Sequence, residues 1–149
     1  MHILIWGSSL ALAASASAAQ ASWLCIADKA TGFSYNERNQ TWETTAFRTQ
    51  TSRYVVAKGT WGQNAWEVRE FGKPSGGIPY ATCEQDFNDA GFLYCSGLFG
   101  RFEMNQKNNR YLTTFNGQYL AYNPDSEIPF LRKDGGDTPF IEIGTCSQI

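Results

Sequence analysis

The residue types that most often carry catalysis are scarce in this chain, and where they fall narrows the chemistry open to it. The one histidine is His2. It lies in an N-terminal stretch that reads as a removable leader, so the remaining chain is expected to hold no imidazole. Without one, Ser-His-Asp and Cys-His nucleophiles, histidine acid–base pairs and histidine-held metals have no basis. The four cysteines, Cys25, Cys83, Cys95 and Cys146, contain no Cys-x-x-Cys spacing. An even set in a short exported chain reads as disulfides, not as a zinc site or redox centre. Three pairings are open, and the favoured one is Cys83–Cys95 with Cys25–Cys146. The first closes a short loop, and the second ties the first strand to the last.

Carboxylates remain. Glycoside hydrolysis needs only two of them in one cleft, one of which keeps its proton. The run Glu84-Gln-Asp-Phe-Asn-Asp89 supplies candidates, although a turn rich in Asp and Asn explains it as well. Asp134-Gly-Gly-Asp137, with Asp125 and Glu127, offers oxygen atoms suited to calcium, but without the ordered spacing of an EF-hand loop. No catalytic, metal or cofactor assignment follows, and no cofactor is expected. Trp42, Trp61 and Trp66 are the candidate binding residues, because planar rings on a sheet stack on sugars or anchor interfaces. Gly59-Thr-Trp61 is similar to the Gly-x-Trp of lipocalin first strands, though it falls in mid-chain. Asn39-Gln-Thr41 fits a glycosylation sequon.

The elements that must position these residues are strands. Period-two alternation recurs: Trp66 and Val68 against Glu67 and Arg69, Phe102 and Met104 against Arg101 and Glu103. Tyr111, Thr113 and Phe115 share a face, and Ile141 and Ile143 bracket Glu142, with the apolar partners expected inside. An aromatic share of 15% suits pleated surfaces. Strands are expected over 22–27, 32–36, 41–48, 52–58, 65–71, 92–96 and 138–144. A three-strand meander is expected over 99–122, turning at Asn116-Gly117 as a type I′ hairpin. Residues 72–77 and 123–136 read as loops, and 84–90 is the only helical candidate. The expectation is an all-β, mainly antiparallel fold. It would be a small meandering barrel or sandwich of about eight to ten strands, with two disulfides and at most one short helix.

The N-terminus, apolar from Ile3 to Ala14 and then small-residued to Ala21, has the composition of a secretory signal. It is too short to cross a bilayer as a helix. Cleavage fits after Ala18 or Ala21, and the second leaves Trp23 at the start of the first strand. The expected organisation is a signal over 1–21 and a single β-rich domain over 22–149, periplasmic or secreted, with no membrane span after cleavage. A net charge of −2 and a pI near 5.3 offer no basic stripe, so nucleic acid is not an expected partner.

Trp23-Leu-Cys-Ile-Ala-Asp-Lys-Ala-Thr-Gly-Phe33, Asp86-Phe-Asn-Asp-Ala-Gly-Phe-Leu-Tyr-Cys95, Arg110-Tyr-Leu and Asp137-Thr-Pro-Phe-Ile-Glu-Ile-Gly-Thr-Cys146 resemble segments of a group of small exported bacterial proteins of uncharacterised activity. The resemblance implies export and a shared fold, and brings no site residues. By overall build the chain also looks like the small periplasmic β-barrel inhibitors of lysozyme. The expected function is a non-enzymatic binding protein or inhibitor-like module. Its partner would be an extracytoplasmic protein, a cell-wall glycan or a small apolar ligand. The alternatives are a carboxylate-pair glycan hydrolase without histidine and a lipocalin-like carrier.

Overall fold

A computed structural model describes residues 21–74, 77–117 and 119–149. Residues 1–20, which hold nearly all of the expected signal, lie outside the described residues. Nine strands follow in order: β1 (Trp23–Asn36), β2 (Thr41–Phe47), β3 (Arg53–Lys58), β4 (Trp66–Glu70), β5 (Ala81–Cys83), β6 (Phe92–Ser96), β7 (Gly100–Asn105), β8 (Arg110–Phe115) and β9 (Phe140–Gln148). All pair antiparallel, and a single 3-10 turn at Pro129–Leu131 is the one helical element among the described residues.

The sheet closes on itself. β3 to β9 pair in succession and β9 returns to β1, giving an eight-strand barrel with β2 as an extra strand on β1. Closure removes the open edges that a sandwich would leave. β1 merges the two strands expected over 22–27 and 32–36. It bulges at Asp28, between Ala27 and Lys29, and its two halves carry different neighbours. Ahead of the bulge it pairs with β3, and beyond it with β2.

Inward positions fill the barrel. At one end, here the near end, Trp23, Trp66 and Phe87 pack with ring centroids 5.1–5.4 Å apart. Both cystines are buried, Cys25–Cys146 bonding directly opposed positions of β1 and β9, and Cys83–Cys95 joining β5 to β6. Val56, Val68, Leu93, Phe102 and Met104 complete the centre. The expected pairing of the cysteines is the one present.

Several expectations are corrected. Among the described residues of 116–122 there is no strand, because the free edge of β8 is taken by β9, which closes the barrel. Phe115 pairs with Phe140, and Asn116 N–H donates to the Phe99 carbonyl. Residues 84–90 form no helix; the Asp86 and Asn88 side chains instead hydrogen-bond the Phe87 and Phe92 N–H groups and hold the segment as a loop. The short β5 was not anticipated. On β9 the faces are reversed: Ile141 and Ile143 are 41% and 47% exposed, while Glu142 is 2% exposed inside the barrel. Cys146 must point inward to reach Cys25, and period-two geometry then forces Gly144 and Glu142 inward as well.

Candidate functional site

The same geometric rule shapes the outer wall of β6. Cys95 is bonded inside, so Leu93 is inside, and Phe92 and Tyr94 must face out. They are 38% and 56% exposed, with rings nearly parallel at 10° and centroids 5.9 Å apart. Beside them lies a depression of about 330 Å³. Thr82 and Ser96, a cross-strand pair, line it from the wall, and Glu84, Gln85, Asp86 and Asn88 from the loop between β5 and β6. On the other side of Phe92 a second, larger depression of about 540 Å³ runs over Leu112 and Ile143, with Glu103 and Arg110 on its border.

The loop is anchored to the core by one carboxylate. Asp86 Oδ1 accepts from Trp66 Nε1 at 2.7 Å and from Phe87 N–H at 2.8 Å, while Oδ2 meets Lys58 Nζ at 3.0 Å. Lys58 also sits 4.0 Å from the centroid of the Trp66 ring. The indole hydrogen bond, then Lys58 and the backbone, hold the Asp86 carboxyl below the usual range. Asn88 fixes the far side of the loop, exchanging hydrogen bonds with the Phe92 backbone at 2.9 Å. The head of β6, with its exposed rings, is therefore tied through this loop to the buried Trp66.

The three tryptophans are not one surface. Trp66 is 3% exposed and is a core residue with a polar handle, so its candidacy as a binding ring is withdrawn. Trp61 is exposed on the loop between β3 and β4, where its carbonyl accepts from Asn64 Nδ2. Trp42 is half-buried on β2, edge-on to Tyr35 and Tyr119. The rings that do line up, Phe92 and Tyr94, were not singled out from the sequence. The pairing of Cys95, once assumed, was enough to find them.

No protein-family model, curated protein or solved structure matches this chain.

Of the expected carboxylates, Glu84 and Asp86 share the depression and Asp89 does not. Asp86 is kept ionised by three donors and serves as an acceptor, not as a general acid. Among the described residues no three Asp, Glu, His or Cys side chains converge as metal ligands. In the expected calcium segment, Gly135 packs its backbone on the Tyr35 ring, and Lys133 pairs with Glu37 at 2.7 Å. Those contacts fasten the 133–135 stretch to Tyr35 on β1 and Glu37 in the β1–β2 turn.

At the far end of the barrel lies a different group. Glu142 is opposite Thr113 across β8–β9, and Tyr111 Oη donates to its Oε1 at 2.9 Å. Tyr80 Oη and Thr113 Oγ1 are hydrogen-bonded at 3.0 Å, and Thr113 donates to the Arg101 carbonyl. Burial first, and then the Glu142 carboxylate, push the Tyr111 hydroxyl far above the tyrosine range; burial, Tyr80 and Glu142 do the same to Tyr54. These hydroxyls remain donors.

Proposed function

We propose that this chain is an exported, non-catalytic binding protein whose ligand is a cell-wall type glycan seated across Phe92 and Tyr94. The observation that carries this reading is the exposed, near-parallel ring pair beside Gln85, Asp86 and Asn88. Sugar rings present an apolar C–H face and a rim of hydroxyls. Exposed aromatic faces take the first, and carboxylate and amide oxygens accept from the second. Two buried disulfides suit an oxidising compartment, and among the described residues no helix is long and apolar enough to cross a membrane. The centre of the barrel is filled by side chains, and the ring pair stands on its outer wall.

The test is co-sedimentation of the oxidised protein with purified peptidoglycan, with calorimetry on N-acetylglucosamine oligomers. Binding is expected, and Tyr94→Ala and Phe92→Ala should each weaken it about fivefold or more, at unchanged melting temperature. Binding that survives both substitutions, or no binding to any glycan offered, overturns the proposal. The same incubations report cleavage: released reducing ends that vanish in Glu84→Gln would establish the hydrolase reading instead.

A further inference from the structure

A closed barrel with a filled centre has no need of an acid inside it, and burying a carboxylate is costly unless it is matched by charge or several hydrogen bonds. Glu142 is 2% exposed. The ion pairs among the described residues, Lys58–Asp86, Arg69–Glu67, Lys73–Glu70 and Lys133–Glu37, all lie elsewhere. An ionised carboxylate can accept about four hydrogen bonds. The described donors are the Tyr111 hydroxyl, which reaches Oε1 at 2.9 Å, and the Tyr54 hydroxyl beside it.

Glu142 also contributes to the wall of an open depression of about 420 Å³ at the far end of the barrel. That size falls within the range of small-molecule sites. Phe115 and Phe140 stack along its wall, centroids 5.6 Å apart and 23° from parallel. Phe47 lines it as well, and Arg48 and Asp137 bring opposite charges to it. The combination is a buried carboxyl group in the wall of an aromatic mouth. Aromatic faces attract cations, and a desolvated carboxylate is best satisfied by a charge-assisted donor.

We propose that the far-end mouth is a second binding site, for a small organic cation whose ammonium or guanidinium group meets Glu142 while its apolar part lies against Phe115 and Phe140. It is separate from the outer-wall platform and does not depend on that reading. Arg48, which is exposed, opposes the cation and tunes its affinity.

Calorimetry of the oxidised full-length chain with phenethylamine, beside the isosteric phenethyl alcohol, tests this directly. The amine should bind at least about tenfold more tightly than the alcohol. Glu142→Gln should abolish that preference, and Arg48→Glu should strengthen amine binding about threefold or more at low salt. Should Glu142→Gln not fold, the Arg48→Glu and Phe140→Leu variants decide, the latter weakening both probes. Equal binding of amine and alcohol, no binding of the amine, or an amine preference retained in Glu142→Gln each overturns the proposal.

Discussion

Trp66 donates its indole N–H to Asp86 across a gap of 2.7 Å, joining a ring buried in the barrel to a carboxylate whose side chain is 61% exposed. The bond spans the boundary between core and surface, so one substitution should register in both stability and binding. Asp86→Ala strands the indole donor and should cost about 1–3 kcal/mol. Asp86→Asn keeps an acceptor and should cost clearly less. Urea denaturation of the two variants measures the difference.

The two disulfides close loops of very different length, with separations of 121 and 12 residues. By loop-closure entropy, replacing Cys25 and Cys146 with serine should cost about 5 kcal/mol, and replacing Cys83 and Cys95 about 3 kcal/mol. Denaturant midpoints of the two double variants should fall in that order.

Acid should unfold the protein through named groups. Burial raises the Glu67 carboxyl, but hydrogen bonds from Arg69 and Thr60 more than offset it, leaving it below its ordinary 4.5. Asp86 lies below its ordinary 3.8. Both bind protons more weakly folded than unfolded, so their stabilisation is complete above the ordinary values and is lost as pH falls through the folded ones. Melting temperature should hold from about pH 7 to about pH 5 and then decline. Glu67→Gln should lower it at neutral pH and flatten the acid decline.

Gly144 lies over the Tyr111 ring and against the Ile26 carbonyl, where a β-carbon would run into both. Gly144→Ala should therefore destabilise by about 2–4 kcal/mol, read as a shifted denaturant midpoint.

Sequence pattern reached far into this fold and less far into its surface. Alternation at Phe102 and Met104 located β7 because both neighbours on each side are polar. On β9 the same rule chose the wrong face: Ile141 and Ile143 outweigh a lone Glu142 in hydropathy, and only the covalent demand of Cys146 reverses them. Glu67 was placed on the wet face for a related reason, since its burial depends on Thr60 arriving from outside the strand, beside Arg69 two residues along it. Asn116-Gly117 carries a strong hairpin signal, yet closing the barrel required β8 to keep that edge for β9. Local pattern cannot report a neighbour dozens of residues away. Phe92 and Tyr94 were hidden because exposed rings look, in sequence, like core.

The bond between Cys25 and Cys146 has a consequence in time. Ribosomes make Cys25 first of the four thiols and Cys146 last, with Cys83 and Cys95 emerging between them. Throughout synthesis Cys25 therefore waits beside two wrong partners, and its proper one arrives only when β9 can slot between β8 and β1. Such sequence-distant pairing is slow to form. The oxidation state of Cys25 is thus a chemical clock for barrel closure: a thiol there marks a chain still open, and a cystine to Cys146 marks one that has finished folding.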